Sequence, residues 1–139
     1  MIARMLLATG SLIYLLLGTI HLLYTFFSTK FTPREASVEG AMQGTSPRLT
    51  SETTMWKAWI GFNASHSTGA LFFGLLNLLF AIQFFTVFKE SLILQSITLI
   101  NSVFYLFLAR RFWFRIPFTG ILISTACYII ALLLIYLNP

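Results

Sequence analysis

The sequence predicts an all-α membrane protein: a four-transmembrane-helix, up-down-up-down bundle with one cytoplasmic amphipathic loop helix. Three observations predict it. The chain is 58% hydrophobic and only 9% charged, whereas soluble proteins carry about 25% charged residues. Four apolar segments, about 5–27, 56–84, 91–110 and 116–137, approach or exceed the roughly 20 residues needed to cross hydrocarbon. Their apolar runs are continuous rather than alternating, and backbone groups in lipid must be satisfied within the segment, so the spans are helices and not strands. The chain, 1–139, reads as one integral membrane domain.

The first span follows Arg4 and runs apolar to Phe27. That is longer than a signal-peptide core and lacks a small-residue cleavage site, so it reads as a retained helix. The polar loop 28–55 comes next. Within it, Thr32-Pro33-Arg34-Glu35 has capping-box spacing with proline at the first helical position, predicting a short surface helix over about 33–42. Gly44 or Gly40 would stop it. Ser46-Pro47 breaks the chain, and Ser51 or Thr50 is expected to cap the second span. The remaining links are short, at Lys89-Glu90 and from Arg110 to Arg115, so sequential helices should be antiparallel neighbours. Cys127, the single cysteine, lies within the fourth span and has no intrachain partner for a disulfide.

Charge sets the expected orientation. Arg4 and Lys89 fall on the side of the termini, against Lys30, Arg34, Arg48, Lys57, Arg110, Arg111 and Arg115 on the other. The positive-inside rule then makes loop 28–55 cytoplasmic and puts both termini outside a bacterial inner membrane. The net charge of +5 is thereby assigned to topology and anionic headgroups, not to nucleic acid.

Polar and small residues step by three and four along each span, which keeps them on one helix face. Ser11, Tyr14, Gly18, His21, Thr25 and Ser28 do so on the first span. Glu52, Trp56, Trp59, Asn63, His66, Ala70, Phe73 and Asn77 do so on the second. Ser91, Gln95, Thr98, Ser102 and Tyr105 follow on the third, and Gly120, Ser124, Cys127 or Tyr128, and Ala131 on the fourth. Polar groups are costly in lipid, so these faces should turn inward. His21 lies about two turns from the basic end of its helix, and His66 about two turns beyond Trp56 and Trp59. The only two histidines are therefore expected at matched depth in one leaflet.

The candidate ligand- or cofactor-binding set is Tyr14, His21, Asn63, His66 and Tyr105, with Arg110 and Arg111 above it at the surface. Haem b is one candidate cofactor. His21 and His66 would then be its axial metal ligands, with the arginines neutralising its propionates. Zinc is a poor match, because only His21, His66 and Cys127 are available and no CxxC or HExxH pattern exists. In an enzyme acting on a lipid-like substrate, a histidine would serve as general base while Asn63 and Tyr105 held the headgroup. No carboxylate lies in a span to orient that base, and Glu52 is about 21 Å from His66 along a helix. A proton-coupled transporter normally has an acid within the membrane, and this chain has none.

A blander reading stands beside these. Gly61, Ser65 and Gly69 form a small-xxx-small ridge for close helix approach, and Asn63 and His66 would serve as interhelical glue. The protein would then be an accessory or scaffold subunit, whether as a homo-oligomer or within a larger membrane complex.

"GTIHLLYTF" at 18–26 and "SETTMWKAWIGFNASHSTGALFFG" at 51–74, with "TPRE" and "SPRLT" between them, resemble a family of small bacterial four-helix membrane proteins. The resemblance covers the first two spans and their loop, and it implies an inner-membrane location and the four-helix architecture. It draws attention to Gly18, His21, Tyr24, Thr53, Trp56, Trp59, Asn63, Ser65 and His66 and carries over no catalytic roles. The leading expectation is a small integral membrane protein whose polar His/Asn/Tyr pocket binds a membrane-soluble molecule or cofactor.

Overall fold

The computed structural model of the chain describes residues 1–137. It is helical, and no strand occurs among the described residues. The elements are α1 (Ile2–Phe27), α2 (Ala36–Gly44), α3 (Met55–Ile82), α4 (Phe85–Glu90), α5 (Leu92–Phe112) and α6 (Arg115–Leu137). The four long helices, α1, α3, α5 and α6, are each long and apolar enough to cross a membrane, as expected of a multi-pass protein.

Three local expectations are corrected. Thr32 does not cap α2, because the helix starts later, at Ala36, after an extended Glu35 that makes no side-chain cap bond. The Thr32 hydroxyl donates to the Thr29 carbonyl at 2.8 Å, in the turn before the helix. Helix α2 carries Gly40 in its interior and closes at Gly44. The second span is led by Thr54, not Ser51 or Thr50: the Lys57 amide donates to Thr54 Oγ1 at 3.3 Å, while Thr50 Oγ1 accepts from Glu52. The Lys89-Glu90 link is part of a further short helix, α4, whose Phe88 is buried. Ser91 then caps α5 by accepting from the Leu94 amide.

The chain resolves into two compact units. Unit 1 takes residues 1–17 and the described residues from 70 onward; unit 2 is Gly18–Gly69.

Within unit 1, four helix segments pack in an up-down-up-down ring. Antiparallel α1 and α3 meet where Gly74 approaches the backbone of Ser11 and Leu15 and where Arg4 donates to the Ala81 and Ile82 carbonyls. Asn77 pairs with Thr98 and Phe73 with Tyr105, so α3 and α5 are also antiparallel. Helices α5 and α6 meet at Ser102–Thr125 and Gln95–Tyr136. The ring closes where the Ser124 hydroxyl donates to the Gly10 carbonyl. Gly10 is required there, because a Cβ would stand 2.8 Å from the Tyr128 ring. Across the diagonals, Tyr14 of α1 reaches α5 and Phe73 of α3 packs on Tyr128 of α6.

At Gly61 the small-residue ridge of the second span does not supply the close approach expected of it. Gly61, Ser65 and Gly69 are exposed, and a Cβ on Gly61 would meet nothing within 4 Å. The tight α1–α3 approach in unit 1 falls instead at Gly74, where a Cβ would lie 2.9 Å from the Ser11 carbonyl oxygen. Small residues permit close packing on any face; they do not choose the face.

Candidate functional site

Buried polar side chains of unit 1 bond to one another and to backbone carbonyls. Thr125 donates its proton to the Ile121 carbonyl, so Ser102 must donate to Thr125 at 2.8 Å and Tyr14 to Ser102 at 3.2 Å. This directed chain ties α1 to α5 and α6. Ser11 donates to the Leu7 carbonyl, so Tyr128 donates to Ser11. Asn77 donates to the Phe73 carbonyl and accepts from Thr98 at 2.7 Å. Gln95 donates to the Phe88 and Lys89 carbonyls and accepts from Tyr136, which pins α4 to α5. The Tyr14 ring lies edge-on to Phe73 at 4.7 Å and to Tyr105 at 5.5 Å, and stacks with Tyr128. Tyr14 and Tyr128 are 0% exposed. Tyr14 and Tyr105 thus serve an aromatic core in unit 1.

Unit 2 holds the histidine cluster. His21 Nε2 lies 3.0 Å from Asn63 Oδ1, and the rings of His21 and His66 pack edge-on with centroids 5.4 Å apart. Asn63 comes pre-oriented, because its Nδ2 donates to the Trp59 carbonyl at 2.9 Å, which turns Oδ1 toward His21. An amide oxygen only accepts, so His21 donates from Nε2 and its Nδ1 is the basic nitrogen of the neutral ring. The two histidines and Asn63, which three- and four-residue steps place on inward faces of α1 and α3, are therefore in contact in this structure.

One residue of this cluster was absent from the sequence expectation. Phe31, the only aromatic residue of loop 28–55, packs on the His21 ring at 4.4 Å. Its carbonyl accepts from the Trp59 indole at 3.0 Å, so the loop is tied to α3 above the imidazoles. A lone aromatic in a polar loop was the available signal. Beside it lies an open cleft of about 390 Å³ lined by Lys30, Phe31, Thr32, Pro33, Met42 and Trp59. Thr25 and Ser67 are buried nearby in sequence, with their hydroxyls returned to the His21 and Asn63 carbonyls of their own helices.

As the side chains stand, His21 Nε2 faces Asn63 and the two imidazole centroids are 5.4 Å apart. Two axial imidazoles on opposite faces of one iron place their ring centroids roughly 6 Å apart with the ligating nitrogens facing each other, so the His21 ring would have to leave Asn63 to ligate a haem b together with His66. Arg110 and Arg111, expected at the propionates, lie in unit 1 at the end of α5. Their guanidiniums sit 5.6 Å from the Phe118 ring and 6.0 Å from the Phe112 ring.

For acid–base work, an imidazole oriented by asparagine lacks the negative charge that would stabilise an imidazolium. As a recognition group it is well made: two imidazoles and an amide, fixed by neighbours, bordered by aromatic walls. No family profile, curated protein or solved structure matches the chain.

Proposed function

We propose that the protein binds a small membrane-soluble amphiphile at the His21–Asn63–His66 cluster, its polar head on the imidazoles and its apolar part along Phe31, Met42 and Trp59. The carrying observation is the imidazole pair, oriented through Asn63 and covered by Phe31. A group built only for packing needs no such aromatic cover from a loop. On this reading the protein belongs to a bacterial inner membrane, with both termini outside and loop 28–55 and α2 at the cytoplasmic surface. The basic residues at 30, 34, 48, 57, 110, 111 and 115 support that orientation.

The test is organic extraction of detergent-purified protein followed by mass spectrometry, comparing wild type with His21→Gln/His66→Gln. The expected result is a co-purifying small molecule in wild type that is lost from the double variant, with the unfolding midpoint moved by no more than about 2 °C. A wild type that carries nothing, or a double variant that retains the molecule, overturns the proposal.

A second reading, an accessory or scaffold subunit, draws support from unit 1, where the polar side chains close on one another. It expects the double variant to behave as wild type in every assay. The enzyme reading is the weakest of the three, because asparagine stands where a base-orienting carboxylate would.

A further inference from the structure

The α5–α6 end of unit 1 carries a cluster of positive charge. Arg110 and Arg111 close α5 and Arg115 opens α6, with only a two-residue turn between the helices. The single acid of unit 1 is Glu90, at the far end of α5 and about 30 Å away along the helix. The arginines therefore have no counter-charge in their own unit. Directly below them, α5 and α6 leave an open groove of about 390 Å³ lined by Val103, Leu106, Phe107, Phe118, Leu122 and Arg110 itself. From Arg110 back to Val103 the groove runs about 10 Å along α5. Val103, Phe107 and Leu122 are exposed along it, and both helices are membrane spans. The Arg110 guanidinium rests against Phe118, which holds the charge at the rim of the groove.

We propose that this groove is a binding site for one anionic phospholipid, with an acyl chain along Val103, Phe107 and Leu122 and the phosphate on Arg110, supported by Arg111 and Arg115. Guanidinium is the side chain best matched to a phosphate, since its planar fork donates two parallel hydrogen bonds. An apolar groove alone accepts any lipid tail. The cationic rim selects the headgroup. Each arginine near an anionic lipid is worth about fivefold in binding, so three acting together discriminate by at least about tenfold.

The test is native mass spectrometry of the full chain in detergent containing equimolar phosphatidylglycerol and phosphatidylcholine. The expected result is one phosphatidylglycerol per chain, preferred at least about tenfold. The preference should vanish in Arg110→Gln/Arg111→Gln/Arg115→Gln. It should also fall in Leu122→Trp, which fills the groove from an exposed position and leaves the arginines intact. It should survive Arg34→Gln/Arg48→Gln/Lys57→Gln, which removes the same charge elsewhere. Equal retention of the two lipids by wild type overturns the proposal, as does a preference unmoved by the arginine triple variant. A preference that survives Leu122→Trp unchanged, or that falls equally in the control triple, overturns it too, because surface charge alone would then explain the binding.

Discussion

The two units of this protein spend the same kind of residue in opposite ways. Both place serine, threonine, asparagine and aromatic side chains at steps of three and four on membrane-spanning helices. In unit 1 the result is a closed interior: Tyr14, Ser102 and Thr125 form a chain that ends on a backbone carbonyl, and Asn77 and Gln95 use both ends of their amides. Unit 2 instead has an amide that serves as a support, with Asn63 held by Trp59 so that it can hold His21. Periodic polarity marks an inward face. In unit 1 that face ends on backbone carbonyls; in unit 2 it carries an oriented imidazole to Phe31 of the loop, and the proposed function rests on that difference.

The comparison is most easily broken at Gly74. A Cβ there would lie 2.9 Å from the Ser11 carbonyl oxygen and 3.0 Å from the Leu15 amide nitrogen, both backbone atoms that can yield only if α1 moves. Gly74→Ala should cost about 2–3 kcal/mol, read as a lower unfolding midpoint in detergent. Gly61→Ala, with nothing within 4 Å, should leave it unchanged. Equal effects at the two glycines would mean that unit 1 lacks the close α1–α3 approach described here.

Two variants of intermediate effect sharpen the contrast between glue and site. Tyr14→Phe removes the first donor of the unit 1 chain and should cost about 0.6–1.7 kcal/mol, with ligand retention unchanged. Asn63→Ala should cost a similar amount and also abolish retention, because His21 loses the partner that fixes its tautomer. Stability and extraction measured on the same preparations separate them. Loss of ligand from Tyr14→Phe would merge the two clusters into one functional set.

The smallest effect is expected at Trp59. Trp59→Phe keeps the ring and deletes the bond to the Phe31 carbonyl, costing about 0.5 kcal/mol or less at this exposed position. Hydrogen exchange should nonetheless rise over residues 28–35, because that bond ties Phe31 to α3. Unchanged exchange would show that the loop is held by other means.

Several features were legible in the residues alone. Hydrocarbon burial is a local property that sums along the chain, so the four spans could be placed within a few residues of α1, α3, α5 and α6. Helical phase is likewise local, and it marked Ser11, Tyr14, Asn63, Asn77, Gln95, Thr98, Ser102 and Ser124 as inward before any helix was paired. The inward phase and matched depth of His21 and His66 were legible too, whereas their contact, with ring centroids 5.4 Å apart, is a finding of the structure.

Other features were decided only by tertiary structure. Gly61 and Gly74 look alike in sequence, yet of the two only Gly74 meets a neighbouring backbone, because inter-helix register selects the point of closest approach. Thr32 has the spacing of a cap, but α2 starts only at Ala36, after Glu35. Tyr14 and Tyr105 share the phase of the histidines and also pack in the aromatic core of unit 1; Phe31 has no periodic signal and comes to rest on His21. A side chain's face follows from the repeat of its own helix. Its partner is chosen by elements far away in the chain, and hydrogen bonds and ring contacts reach only a few ångströms.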